Sequence, residues 1–219
     1  MRRRSVAALC GCSTEQGITV KKYLWHGGPE RVYWLQIPQK IQPNTRLVLV
    51  FHGYTGSAKG VMRFTQHNEI ADRDGFIVAY PQGSIDLRGE NFFNVGHDFN
   101  TDSLVEDLDY TRQLILKLHR DNALSASKTL ATGFSTGDDM SDLLVCTSSD
   151  VIRAVAPVAG VLMKPIKDRC LHEKPLPIFA MYGTDDDISL YSADMQNRDG
   201  FGAYLDLPAT AQFLFRCTV

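Results

Sequence analysis

The feature that most constrains the fold is a regular alternation of short apolar strands with helical segments, which begins at residue 46. Segment 46–51 is an almost uninterrupted apolar run, the pattern of a strand that is buried on both faces. Further strands are predicted at 76–80, 128–134, 152–158 and 177–182. Strands that alternate with helices form a mostly parallel sheet with helices on both faces, so the sequence predicts an α/β fold.

Helices are predicted between these strands at 61–74, 104–118 and 138–146. The second helix has a continuous apolar face, and Ser103 with Glu106 is expected to form a capping box at its start. Asp206 is expected to cap a last helix that has Pro208 in its first turn.

Two strands, 18–23 and 31–37, are predicted before the alternation begins and are expected to pair antiparallel. No repeat or linker divides the chain of 219 residues, so residues 15–219 are expected to form one domain. The 23 Lys and Arg residues against 25 Asp and Glu residues give a net charge of −2, which provides no basic field for nucleic acid or an anionic membrane. No apolar run approaches the ~18 residues of a membrane span.

Residues 1–14 are expected to be either a remnant of an export signal or a frayed terminus. Arg2, Arg3 and Arg4 resemble the basic region of such a signal, but the apolar stretch 6–9 is shorter than the ~7–15 residues required. The five cysteines include no Cys-x-x-Cys pair and no cluster with zinc spacing, so no metal site is predicted; they are Cys10, Cys12, Cys146, Cys170 and Cys217. Disulfides in an exported protein and free thiols in a reducing compartment both remain open.

Segment 133–137, Gly-Phe-Ser-Thr-Gly, matches the pattern G-x-S-x-G between a predicted strand and a predicted helix. In that context the pattern is typical of the nucleophile elbow, in which a strained turn presents the serine hydroxyl above the sheet. Ser135 is therefore a candidate nucleophile, and Gly133 and Gly137 are expected to lack room for a side chain. The alternative is an ordinary serine that caps a helix after a glycine turn.

His52, Gly53 and Tyr54 follow directly after the strand at 46–51. In an α/β-hydrolase this loop supplies one backbone N–H of the oxyanion hole, and the residue after the nucleophile supplies the other. Tyr54 and Thr136 are the candidate donors through their main chains. His52 and Gly53 are interpreted as loop-shaping residues, with His52 as the catalytic base being the alternative.

Three adjacent aspartates, Asp185, Asp186 and Asp187, follow the predicted strand at 177–182. A carboxylate at this position suits the acid of a catalytic triad in the order Ser, Asp, His. The pattern alone does not choose among the three, and a solvated acidic turn is the alternative interpretation.

Taken together, these segments resemble the polyhydroxybutyrate depolymerases and the feruloyl and acetylxylan esterases, a family of usually exported α/β-hydrolases. The resemblance extends from about residue 15 to residue 217 and is carried by segments 50–53, 80–83, 105–108, 131–135, 154–160 and 182–186. It implies that Ser135 is the nucleophile, that Asp186 is the triad acid and that Cys146 and Cys170 form a disulfide. It also implies an extracellular or periplasmic location.

Two departures from the family pattern affect catalysis. No histidine follows His172, whereas the resemblance places the catalytic base beyond the acid. The chain is therefore expected to be truncated at its C-terminus before the last strand, with a degenerate family member as the alternative. Asp138 and Asp139 stand where the family has glycine and an apolar residue, and near an oxyanion hole they are expected to oppose the developing negative charge.

The resulting prediction is a serine carboxylic-ester hydrolase that acts through an acyl-enzyme without a cofactor or metal. The resemblance suggests a substrate that is a polyester of hydroxy acids or a feruloyl or acetyl ester of polysaccharide. A catalytically inactive binding protein on the same fold is the first alternative, and a thioesterase or peptidase is the second. The oligomeric state and the pairing of the remaining cysteines are left open by the sequence.

Overall fold

The computed structural model describes residues 16–42, 44–170 and 176–216, so the predicted N-terminal segment 1–14 and Cys10, Cys12 and Cys217 lie outside the described residues. The main sheet has six strands in the order β1-β2-β4-β3-β7-β8. The strands are β1 Ile18–Trp25, β2 Glu30–Ile37, β3 Leu47–Phe51, β4 Ile77–Pro81, β7 Thr129–Phe134 and β8 Ala154–Val158. Strand β2 pairs antiparallel with β1 and β4, and the remaining pairs are parallel. The predicted mostly parallel sheet is confirmed.

The helices are α1 Ala58–Thr65, α2 His67–Asp74, α3 Asp107–Asn122, α4 Thr136–Thr147, α5 Lys164–Asp168 and α6 Leu207–Arg216. Two short strands, β5 Ser84–Ile85 and β6 Asn91–Phe92, form a separate ribbon inside the loop after β4. As predicted, Asp206 caps the last helix, because its Oδ1 accepts a hydrogen bond from Ala209 N at 2.6 Å.

Helices cover both faces of the sheet because the parallel strands are apolar on both sides. In β3, Leu47, Leu49 and Phe51 join the larger core cluster, to which α3 and α4 contribute, while Val50 joins the smaller one. Helices α1 and α2 cover that smaller cluster. The alternation of side chains along the strand therefore explains why its sequence is apolar without interruption.

The single helix predicted at 61–74 is wrong, because two helices occupy this region. Helix α1 begins earlier, at a cap in which Ser57 Oγ accepts from Gly60 N at 3.0 Å. Gln66 then adopts a left-handed conformation with φ 54°, which ends α1 and starts α2. Segment 61–74 contains no glycine or proline, so the sequence does not reveal this break.

The predicted capping box at Ser103 and Glu106 is also wrong. Helix α3 begins only at Asp107, Glu106 makes no capping hydrogen bond through its side chain, and Leu104 is 95% exposed outside the helix. The start of the helix is instead fixed by Asp107, whose buried carboxylate accepts from Arg31 Nη2 at 2.5 Å, Ser84 Oγ at 3.1 Å and Asn94 N at 2.7 Å. A long-range ion pair thus overrides the local capping pattern.

Segment 177–182, predicted as a strand, lies beside β8 in the parallel direction. Phe179 N donates to Val155 O at 3.0 Å, and Met181 N donates to Pro157 O at 3.0 Å. Only isolated bridges form, so the segment is less regular than the other strands. It nevertheless carries the chain to the end of the sheet where Asp186 follows.

An open apolar groove of about 550 Å³ crosses the sheet on the side of α1 and α2. Strands β3, β7 and β8 form its floor, and its rim includes Phe64 and Phe179, which are 72% and 69% exposed. Across the parts of the chain that the structure describes, no helix is long and apolar enough to cross a membrane.

Candidate active site

Ser135 lies at the turn between β7 and α4, as the sequence predicts. Its backbone is at φ 56° and ψ −123°, a conformation that is strained for a residue with a side chain, and α4 begins at Thr136. Ser135 N donates to Val158 O at 3.0 Å, which ties the turn to the end of β8. The Ser135 side chain makes no capping hydrogen bond to the helix. The geometry is that of a nucleophile elbow and not of an ordinary capping serine.

Gly133 and Gly137 have no room for a side chain. A Cβ added to Gly133 would lie 2.0 Å from Gly137 O, and one added to Gly137 would lie 2.6 Å from Phe51 O. All of these contacts are with backbone atoms. The two glycines therefore allow the strand, the turn and the elbow helix to pack directly against one another.

The loop after β3 lies against the serine turn. A Cβ added to Gly53 would lie 3.1 Å from Phe134 O and 3.3 Å from Ser135 Cβ. Within the described ranges, the backbone N–H groups of Tyr54 and Thr136 have no acceptor. Two unpaired N–H groups that flank the serine turn are what an oxyanion hole requires.

His52 is a buried residue that shapes this loop. Its Nδ1 is 2.8 Å from Gly53 O, and its Nε2 accepts from Gly83 N at 3.0 Å. Burial lowers the pKa of the imidazole, so the neutral form with the proton on Nδ1 satisfies both contacts. Because both ring nitrogens are engaged, His52 is not available as a base for Ser135.

The structure distinguishes Asp186 from its two neighbours. Asp185 and Asp187 are exposed, while Asp186 is half-buried and its Oδ1 accepts from Ile188 N at 2.9 Å and Ser189 N at 2.8 Å. Ser189 Oγ in turn donates to Ala159 O at 3.1 Å, next to the β8 end that holds the serine turn. The aspartate that the resemblance selects is therefore the one held in a fixed position.

The described histidines do not supply Ser135 with a base. None of the five described histidines forms a hydrogen bond with Ser135 Oγ through a ring nitrogen. Four of them form hydrogen bonds with other residues: His26 with Asp109, His52 with Gly53 and Gly83, His97 with Asp139, and His119 with Thr129. The fifth, His67, lines the apolar groove, and the sixth histidine of the sequence, His172, lies outside the described residues.

A cavity of about 50 Å³ opens beside the serine. Ser135 and Thr136 line it together with residues of the 188–204 segment, including Leu190, Phe201 and Tyr204. In the ranges that the structure covers, no group of three or more His, Cys, Asp or Glu side chains is arranged to hold a metal ion.

Comparisons with known proteins agree with this geometry. Feruloyl esterase B from Piromyces equi is 33% identical over 151 residues, covering 68% of this chain and 27% of the relative. A bifunctional acetylxylan esterase/xylanase from Neocallimastix patriciarum is 25% identical over 188 residues, covering 84% of this chain and 25% of the relative. The chain thus spans about a quarter of the length of these two relatives. No family model matches it.

Solved structures show the same fold. An acetyl xylan esterase from Aspergillus awamori has a TM-score of 0.56 at 19% identity, covering 67% of this chain and 53% of that chain. A feruloyl esterase module from Clostridium thermocellum has a TM-score of 0.60 at 13% identity, covering 79% of this chain and 69% of that chain. The chain is an α/β-hydrolase related to the feruloyl and acetylxylan esterases.

This α/β-hydrolase contains an acidic cluster behind the serine that the sequence pattern only partly revealed. Asp138, Asp139 and Asp142 all lie on the elbow helix and are buried. Asp139 has two partners, His97 Nε2 at 3.1 Å and Tyr204 Oη, which donates at 3.0 Å. Neither partner could be inferred from spacing, because they come from loops 42 and 65 residues away.

Asp138 and Asp142 have no hydrogen-bond partner for either carboxylate oxygen in the described structure. Burial, with the neighbouring carboxylates adding to it, raises the pKa of both groups well above the usual range. The raised pKa favours the neutral acid at Asp138. A neutral carboxyl repels a nearby oxyanion less than a carboxylate does, so the expected opposition by Asp138 stays a prediction.

The raised pKa of Asp142 predicts a pH-dependent stability. A carboxyl with a raised folded-state pKa contributes its full stability below the unfolded pKa of ~4 and loses it as pH rises through the folded pKa. Asp142→Asn keeps the shape but cannot ionise, so we expect it to be more stable than the wild type at pH 8, by a margin that grows as the pH rises from 4. Urea unfolding between pH 4 and pH 8 measures the difference. The exposed Asp187→Asn is the control, and a constant difference across this range for Asp142→Asn would contradict the interpretation.

Cys146 and Cys170 form a disulfide with a Cα–Cα distance of 4.3 Å, as the family resemblance implies. The bridge joins the last turn of α4 to the residues just after α5. It therefore fixes the C-terminal end of the elbow helix, whose N-terminal end holds Ser135.

Proposed function

We propose that this chain is the core of a serine carboxylic-ester hydrolase. The observation that supports this most strongly is Ser135 at φ 56° on the strand-to-helix turn, in contact with the loop that carries an unpaired Tyr54 N–H. Ordinary helix caps do not require this strained backbone, whereas nucleophilic catalysis benefits from a serine held clear of the sheet. The carboxylic-ester specificity follows from the kinship with feruloyl and acetylxylan esterases.

Each residue then has a distinct role. Ser135 Oγ attacks the ester carbonyl carbon, and the resulting oxyanion accepts hydrogen bonds from Tyr54 N and Thr136 N. Asp186 orients the imidazole that takes the serine proton, and that imidazole comes from outside the described residues. An acyl-enzyme forms as the alcohol leaves, and water then releases the acid.

The natural substrate is proposed to be a feruloyl or acetyl ester of plant polysaccharide, since the two relatives are a feruloyl esterase and an acetylxylan esterase. A polyester of hydroxy acids remains a second substrate prediction. Export from the cell is proposed from the family resemblance, and the Cys146–Cys170 disulfide is in keeping with an oxidising compartment.

External imidazole tests the proposal by supplying the base. Without imidazole, we expect the chain to hydrolyse p-nitrophenyl acetate no faster than Ser135→Ala, because loss of the base costs several orders of magnitude in rate. With imidazole, we expect a component of p-nitrophenol release that depends on Ser135 and rises with imidazole concentration. Asp187→Asn is expected to keep this component. Identical rates for the wild type and Ser135→Ala at every imidazole concentration would count against the proposal.

A non-catalytic binding protein is the second candidate, favoured by the engagement of the described histidines with other partners. The same assay separates the two functions. A binding protein would show no Ser135-dependent release with imidazole, although its fold and its disulfide would be intact.

A further inference from the structure

We propose that the cavity beside Ser135, hereafter the acyl cavity, admits an acetyl-sized acyl group and excludes an aromatic one such as feruloyl. This inference rests on the proposed function and narrows its substrate. Ser135 and Thr136 both line the cavity, so an acyl group whose carbonyl oxygen reaches Thr136 N would place its remaining atoms there.

The size of the acyl cavity decides between the two groups. Its volume is about 50 Å³. A dry protein cavity that holds benzene measures ~150 Å³, and a feruloyl group carries a substituted benzene ring beyond its three-carbon acyl chain. Beyond its carbonyl carbon, an acetyl group has a single methyl group, which is close in size to a water molecule. A cavity needs only ~10–15 Å³, the volume of one water-sized sphere, to hold one water, so the acetyl group fits inside, whereas the feruloyl ring is too large for the cavity to enclose.

The walls of the acyl cavity are held in place from behind. Tyr204, which lines it, donates its hydroxyl to Asp139 at 3.0 Å and exchanges two backbone hydrogen bonds of 3.1 Å with Asp194. Asp139 also binds His97, whose ring stacks on Phe99 at 5.1 Å. Widening the cavity at Tyr204 would therefore break a buried polar network, which is costly.

Two glycines of the lining, Gly160 and Gly202, also pack closely against their neighbours. A Cβ added to Gly160 would lie 2.4 Å from Asp138 Oδ2, and one added to Gly202 would lie 3.0 Å from Met163 Cε. The backbone thus packs directly on its neighbours behind these positions. Leu190 and Phe201 are the half-buried apolar side chains of the lining, and Leu190 belongs to the segment after Asp186.

The proposed reaction is acyl transfer from an activated ester to Ser135. The Ser135 Oγ–carbonyl carbon bond forms, the bond between that carbon and the p-nitrophenyl oxygen breaks, and p-nitrophenolate leaves with the electron pair. The hydroxyl proton passes to added imidazole. Added imidazole can also act as the base when water releases the acyl group, so the acyl-enzyme is measured at early times, before this second step.

The test compares p-nitrophenyl acetate with the p-nitrophenyl ester of ferulic acid, both in the presence of imidazole. Intact-mass spectrometry measures the rate at which the acyl adduct forms on the wild type and on Ser135→Ala. Each of these rates is divided by the rate at which the same ester reacts with imidazole in the absence of protein. We expect acetylation of Ser135 to exceed feruloylation by at least about 100-fold, since pockets discriminate by ~10–200-fold for even one methylene.

Leu190→Ala removes a side chain from the cavity wall and is expected to reduce this ratio by about tenfold or more. The matched control is Leu104→Ala, because Leu104 is 95% exposed outside the cavity lining and its loss should leave the ratio unchanged. If the acetyl and feruloyl adducts form on the wild type at comparable rates, the proposed selection by acyl size is wrong, while the proposed function is unaffected. If neither adduct forms, Ser135 is not the nucleophile, and the proposed selection by acyl size is wrong as well.

Discussion

Gly133→Ala should destabilise the chain by at least about 3 kcal/mol, at or beyond the usual upper range for an overpacked site. The added Cβ would lie 2.0 Å from Gly137 O and 2.3 Å from Gly137 C, both backbone atoms of the elbow helix. A flexible side chain could rotate away from such a contact, but the helix can relieve it only by moving off the sheet. Urea unfolding followed by circular dichroism measures the loss.

Gly183→Ala is the matched control because it makes the same chemical change. Its nearest atoms would be 3.8 and 3.9 Å from the new Cβ, which is ordinary van der Waals contact. We expect its stability to remain within about 1 kcal/mol of the wild type. Equal stabilities of the two variants would show that the strand and the elbow helix are not in direct backbone contact.

Asp107→Ala should cost about 3–5 kcal/mol of folding free energy, because it leaves a buried arginine without its partner. Arg31 is 8% exposed and Asp107 is fully buried, and the guanidinium carbon of Arg31 also lies 4.0 Å from the centre of the Tyr110 ring. The same carboxylate holds Ser84 and the backbone of Asn94, so its loss would also free the loop that follows β4.

The exposed ion pair at the other end of the same helix provides the comparison. Lys117 and Asp121 are 2.5 Å apart and largely solvated, so Asp121→Ala should cost no more than about 0.5 kcal/mol. Thermal unfolding of both variants at neutral pH gives the contrast. A loss of less than 1 kcal/mol for Asp107→Ala would mean that Arg31 finds another partner or reaches water when the carboxylate is removed.

The local parts of the candidate site could be predicted because their chemistry is set by adjacent residues. Gly133 and Gly137 on either side of Ser135 specify a turn that only small residues permit, and the structure shows backbone atoms where their side chains would be. His52 could be interpreted as a loop-shaping residue for a similar reason, since it follows directly after a buried strand. The spacing of residues along the chain therefore predicts a site residue when the contacts that define its role are made by its sequence neighbours.

The parts that could not be predicted depend on contacts between distant segments. Asp107 accepts from Arg31 across 76 residues, and this pair moved the start of α3 away from the expected capping box. Gln66 separates α1 from α2 through a left-handed backbone, at a position that neither glycine nor proline marks in the sequence. Asp139 joins His97 and Tyr204, and neither loop carries a pattern that points to the other.

The two unpartnered carboxyls also alter how the folded protein behaves in an electric field. The formal charge of −2 counts every aspartate as an anion. The raised pKa values of Asp138 and Asp142 mean that the folded chain binds protons at these carboxyls more readily than the unfolded chain does. The native band should therefore focus at a higher pH than the band unfolded in urea.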